Sequence, residues 1–137
     1  MKHLLLTTIA AVVLVGCGPS VDIHKAAREG NIETVKRAIA DGVDVKVKDL
    51  VSSDHRVPGV TPLRYASQNG HKEICDLLLA NGADVNASGD GWAPLPLAAH
   101  NGYKEVVVLL ITKGADVNAK VRDGSTALHK AAMFGHR

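Results

Sequence analysis

The 137-residue chain sets 16 Lys and Arg against 14 Asp and Glu, and no clustered basic face of the kind that grips nucleic acid is present. Aromatic residues make up only 3%, so Leu, Val, Ile and Ala must build the interior, an aliphatic bias that suits stacked small helices. Two cysteines, Cys17 and Cys75, are too few for a disulfide framework, and the length suffices for one domain of ordinary size.

Met1-Lys2-His3 makes a short basic start, followed by an apolar run of 12 residues from Leu4 to Val15. That length fits the hydrophobic region of a secretory signal and falls short of the ~20 residues a spanning helix needs. Leu14-Val15-Gly16-Cys17 resembles the bacterial lipobox. Small side chains before the cysteine admit a peptidase, and a thiolate can carry a thioether-linked diacylglyceryl group. The resemblance implies a lipoprotein-type signal peptide over residues 1–16, lipidation at Cys17 and a short anchor linker over 17–20. Several acyl chains, palmitate among them, would hold the protein on a membrane durably. Gly18 in place of an Asp implies, by lipoprotein sorting rules, the outer membrane facing the periplasm.

From Val21 onward the chain repeats itself. Three glycine-led segments, "GVTPLRYASQNG" from Gly59, "GWAPLPLAAHNG" from Gly91 and "GSTALHKAAMFG" from Gly124, stand 32 and 33 residues apart. "NGADVNA" at Asn81 and "KGADVNA" at Lys113 recur in register, with "DGVDVKV" at Asp41 as a looser copy and "DIHKAAREG" from Asp22 opening the first unit. These elements resemble ankyrin repeats over residues 21–137, about three repeats plus a shortened fourth. The resemblance implies an all-α solenoid of helix-turn-helix units joined by β-hairpin-like loops.

Each recurring residue has a physical reason. The Thr61 hydroxyl can cap a first helix, Pro62 and Pro94 occupy the opening position, and Pro96 still falls in the first turn, where backbone N–H groups lack helical partners. Ala26-Ala27, Ala66, Ala98-Ala99 and Ala131-Ala132 are small enough for neighbouring helices to approach. Gly30, Gly70, Gly102 and Gly135 end those helices in a left-handed conformation. In the second helices Ile74, Leu77, Leu78 and Leu79 align with Val106, Leu109, Leu110 and Ile111, and carry the hydrophobic load. Thr34, Arg37, Ala38 and Ile39 hold those positions in the first unit. Arg37 and Lys36 make one face polar there, as an end unit requires. The fourth unit has a first helix and then reaches His136-Arg137, so an exposed aliphatic flank on the third repeat, with fraying or self-association, is expected.

Seven histidines invite a metal reading, but no pair shows ligand spacing. His24 and His129 take the histidine slot of the T-P-L-H pattern and His71 and His136 that of its G-H turn, which in ankyrin repeats implies backbone hydrogen bonds; His55 and His100 fall at variable positions. No metal, cofactor or catalytic residue is expected. Cys75 reads as a small buried hydrophobe, and Asn86-Ala87-Ser88 as a chance glycosylation sequon within D-V-N.

The resemblance implies a concave face built from loop tips and first helices that chooses the partner. The matching positions are Trp92, Tyr65, Gln68, Asn69, His100, Asn101, Met133 and Phe134. The first loop, Val47 to Val60, is longer than the others and reads either as a binding tip or as a neutral insertion. The expected function is a non-catalytic protein–protein interaction scaffold, lipid-anchored to a bacterial envelope membrane, with a protein partner and neither nucleic acid nor small-molecule substrate. The alternative is an accessory or immunity-like factor for a neighbouring envelope enzyme or toxin.

Overall fold

Seven short helices follow one another in the computed structural model, which describes residues 21–49, 59–89 and 91–136. The leader with Cys17, the body of the first-loop insertion with His55, and Asp90 and Arg137 lie outside the described residues. The first helices of the repeats are α1 (Ile23–Glu29), α3 (Pro62–Gln68), α5 (Pro94–His100) and α7 (Ala127–Met133). The second helices are α2 (Ile32–Ala40), α4 (Lys72–Ala80) and α6 (Lys104–Thr112).

Local chemistry sets where each begins. In α3 the Thr61 hydroxyl accepts from the Arg64 N–H at 3.4 Å, and Pro62 follows at the first helical position. Ala93 before α5 has no side-chain acceptor. There Pro94 and Pro96 remove two of the donors that would otherwise need one. The Thr126 N–H before α7 donates to His129 Nδ1 at 3.2 Å, closing the first turn. The first repeat departs from this register: Asp22, one residue later than the threonine slot, accepts from the backbone N–H groups of His24 and Lys25, both at 3.0 Å. α1 therefore starts one residue late.

The helices form two layers. α1, α3, α5 and α7 pack side by side in one, and α2, α4 and α6 in the other, each second helix resting on the first helix of its own repeat. Ala27, Ala66 and Ala98 are fully buried where the first helices meet, Leu63, Leu78, Leu110, Val35 and Val106 fill the space between layers, and Val60 is buried just before α3. Of the apolar positions read from the second helices, Ile74, Leu78, Val106 and Leu110 are buried, while Leu77, Leu79 and Leu109 are half-buried. Ile111 is 47% exposed, because no further helix covers that side of α6 among the described residues.

Hydrogen bonds stitch the repeats along both edges. His71 Nε2 bonds the Arg28 carbonyl and His136 Nε2 the His100 carbonyl, both at 3.0 Å. Tyr103 takes the equivalent slot in the third repeat and lays its ring over Gly70. On the loop side the Asp116 N–H donates to Asn86 Oδ1 at 2.8 Å. The loops hold one isolated antiparallel bridge, Asp49–Val60, and no named strand among the described residues. That bridge closes the base of the first-loop insertion through Asp49 N–H to the Val60 carbonyl (2.9 Å) and Gly59 N–H to the Asp49 carbonyl (2.8 Å).

Candidate functional site

Because the first helices stack in register, equivalent positions form rows across the face they present away from the second helices. One row runs Lys25, Tyr65, Leu97, Lys130; another runs Arg28, Gln68, His100, Met133; a third runs Glu29, Asn69, Asn101, Phe134. The sequence-derived residues other than Trp92, which precedes α5, sit on these rows, but the structure divides them.

Tyr65 is not displayed. It is only 8% exposed, and its hydroxyl donates to Asp49 Oδ2 at 3.2 Å. The Arg28 guanidinium lies 5.6 Å from its ring centroid, and the His24 ring meets it edge-on at 6.2 Å. Burial, then the Asp49 carboxylate, push the phenol above its ordinary pKa. Tyr65 thus clamps the root of the insertion to α3, and the displayed face begins beyond it.

The C-terminal half of the face forms one aromatic cluster. Trp92, just before α5, stands edge-on to His100 with centroids 5.7 Å apart, and His100 meets Phe134 at 4.3 Å. The Phe134 ring stacks on His136 at 6.4 Å. Phe134 is 50% and Met133 69% exposed, so the outer side of the cluster faces solvent. His100 Nδ1 is buried without a hydrogen-bond partner. Gln68, Asn69 and Asn101 are exposed at the rim, where Asn101 Nδ2 donates to the Gln68 carbonyl and Asn69 Nδ2 to the Tyr65 carbonyl, both at 2.9 Å.

Charged residues that the sequence did not single out hold this cluster in place. The Lys130 ammonium lies 5.0 Å from the Trp92 ring centroid, within cation–π range. Its nitrogen also pairs with the Asp123 carboxylate, leaving the lysine 6% exposed. Lys130 and then Ser125 hold the Asp123 carboxyl well below the usual carboxylate range. From beneath, Arg64 Nε donates to the Trp92 carbonyl at 3.3 Å. The signal for Lys130 was its slot, since it occupies the row position of Tyr65 and Leu97.

The arrangement offers apolar ring surface and amide groups for contact. Cys75 is buried, as its reading as a small hydrophobe requires, with its Sγ 3.6 Å from Ser67 Oγ, and burial pushes the thiol up to about 11. At neutral pH it is a protonated, poor nucleophile. Among the described residues no cluster of three His, Cys, Asp or Glu side chains could hold a metal ion. No helix among them is long and apolar enough to cross a membrane.

Comparison with known proteins places these features in context. A family model described as ankyrin repeats (3 copies) matches residues 23–121 and 88–137. Alpha-latrotoxin-Lh1a of Latrodectus hasselti is 39% identical over 70 residues, covering 51% of this chain and 4% of the toxin. Human protein phosphatase 1 regulatory subunit 27 is 34% identical over 68 residues, covering 50% of this chain and 40% of that protein. Human mitochondrial disaggregase is 35% identical over 88 residues, covering 60% of this chain and 12% of its own length. The chain therefore spans less than half the length of these relatives.

Proposed function

This chain belongs to the ankyrin-repeat family, whose stacks serve as protein-interaction scaffolds, and from that premise we propose a non-catalytic binder that grips a protein partner with the Trp92–His100–Phe134 cluster and its rim. The observation that carries this reading is the contrast within the cluster. Its base is held by Lys130, Asp123 and Arg64, while Met133 and Phe134 stay open to solvent. Aromatic anchors held in place before binding lose little conformational freedom on association, which is how a few residues come to dominate an interface. Gln68 and Asn101 supply polar groups at the rim. A relative named as a regulatory subunit supports a role in which the stack binds another protein.

The tether is part of the same reading. The lipobox-like Leu14-Val15-Gly16-Cys17 supports lipidation at Cys17 and a bacterial envelope location, and only Gly18, Pro19 and Ser20 separate that anchor from the first repeat. The stack would then work close to the lipid surface, on membrane-proximal envelope proteins. The intact mass of the chain from its native membranes tests the tether: a chain starting at Cys17 with added acyl groups is expected, and an unmodified chain retaining Met1 would end the export argument. The binding face is tested by replacing Trp92, His100 and Phe134 together with alanine. A partner that co-purifies with the wild type should be lost, and its undiminished recovery with the folded triple variant would refute the assignment.

A further inference from the structure

The loop between α6 and α7 carries charge that the aromatic cluster leaves unused. Its Asp123 carboxylate is taken up by Lys130 and by the hydroxyl and N–H of Ser125. Lys120 and Arg122 on the same loop are exposed, and no carboxylate among the described residues pairs with either. Arg122 lies across Gly91, the residue before Trp92: a Cβ on Gly91 would stand 2.9 Å from its Cγ and 3.6 Å from its Nε. Lys120 and Gly91 also line a recess of about 240 Å³, together with Ala93, so the recess adjoins Trp92 on both sides along the chain. Asp116 is the acid on its wall, and its Oδ1 already accepts from the Asn118 N–H at 2.9 Å.

The wider face has the same sign. The four first helices carry Lys25, Arg28, Arg64 and Lys130 against one acid, Glu29, whereas the second helices carry four cations and four acids. Asp22, Asp49 and Asp123 offset part of that excess, and Lys120 and Arg122 restore it beside the aromatic rings. An apolar side chain seated on the rings brings its neighbours in sequence within reach of these two cations. Of those neighbours a carboxylate gains most, because the arginine fork matches it. Nucleic acid is disfavoured, since it is gripped through many phosphates, and two exposed cations beside an amide rim do not supply that. Resting on the binding-face reading above, we propose that the partner docks through an acidic protein segment. Its apolar side chain seats on the Trp92–His100–Phe134 cluster while a neighbouring Asp or Glu meets Arg122. Arg122 then sets specificity, and Lys120 steers the approach.

The test is selection of a random dodecapeptide library on the purified chain. The folded triple-alanine variant of Trp92, His100 and Phe134 serves to discard peptides that do not need the cluster. Peptides kept by the wild type alone should hold an apolar residue close in sequence to an Asp or Glu, with acidic residues enriched several-fold over the starting library. The tightest of them, carrying a fluorophore, should bind Arg122→Glu roughly tenfold more weakly, and Arg122→Lys should recover part of the loss. Added salt should weaken its binding to the wild type and barely change its binding to Arg122→Glu. Cluster-dependent peptides that are neutral or basic, or that bind Arg122→Glu as tightly as the wild type, would overturn the acidic partner and leave the binding face standing. Peptides retained equally by the triple-alanine variant would instead overturn the binding face. Cluster-dependent binding of a labelled single-stranded oligonucleotide, with no acidic peptide selected, would overturn the proposal in favour of nucleic acid.

Discussion

Trp92 reports on its own setting, because it is the chain's single tryptophan and stands between Lys130 and His100. Asp123 keeps the Lys130 ammonium in place, and its folded pKa is depressed mainly by that partner. A depressed carboxyl contributes fully above its unfolded value, about 4, and loses that contribution as the pH falls through the folded value. Acid should therefore begin to remove this stabilisation below about pH 4, and the Trp92 fluorescence change that follows loss of the pair belongs to that acid range. Asp123→Asn should produce the altered spectrum already at neutral pH; a variant with the wild-type spectrum at pH 7 would show that the ion pair does not hold the ring. Cys75 works in the opposite sense. Its folded pKa is raised from 9.0 to about 11, so its contribution is whole below pH 9 and declines from there to about 11 as the unfolded thiol ionises. Chemical denaturation should show stability falling across that window, and Cys75→Ala should flatten the fall, with Tyr65 ionisation adding to it only at the upper end. In the native state Cys75 should resist thiol reagents at neutral pH. Rapid labelling without unfolding would contradict its burial. Both side chains show where sequence reading stops. That Cys75 packs as a small hydrophobe follows from its slot beside Ile74, whereas the fate of Tyr65 depends on Asp49, 16 residues away across an insertion whose path no repeat pattern prescribes.

Helix boundaries depend on shorter-range chemistry and were correspondingly legible. Thr61, Pro62, Pro94 and the glycines after each first helix mark the ends where the structure has them, and Gly30, Gly70, Gly102 and Gly135 all adopt positive φ. The exception is α1, where the threonine slot holds Val21 and the nearest competent acceptor, Asp22, moves the start by one residue. Gly70 and Gly42 separate two reasons for glycine. Both have left-handed backbones, with φ of 75° and 83°, but a Cβ at Gly70 would lie 2.6 Å from the Tyr103 ring, while one at Gly42 would meet nothing within 4 Å. Gly42→Ala should cost roughly 1–2 kcal/mol for the backbone alone. Gly70→Ala should cost distinctly more, because the ring that seals the second repeat to the third must also move. Equal losses in denaturant midpoint for the two would mean that the Tyr103 contact contributes nothing.

Across the described residues, stability is carried from repeat to repeat, since the substantial helix contacts run within a repeat or between adjacent repeats. Leu78 is fully buried at the centre of this chain of contacts, in the slot held by Ala38 on one side and Leu110 on the other. Leu78→Ala should cost about 2–5 kcal/mol and broaden unfolding, because a fully buried core side chain in the middle repeat would be lost. A small loss with an undiminished single transition would place the coupling in the first-helix layer instead. The repeat period made the stack legible as a whole, because every unit restates the same turn, cap and apolar slots. The proposed binding face was legible only in outline. Trp92, His100 and Phe134 were identifiable as departures from the repeat, but the Lys130–Asp123 pair that seats Trp92 joins positions the pattern treats as ordinary. The most direct test of the account is site-specific photo-cross-linking in the cells that make the protein, with the reactive group placed in turn at Gln68, Met133, Lys72 and Ala80, all exposed. A discrete adduct with one protein from Gln68 and Met133 on the first-helix face, and none from Lys72 and Ala80 on the second-helix side, is the predicted result. Adducts from Lys72 and Ala80 alone would contradict it.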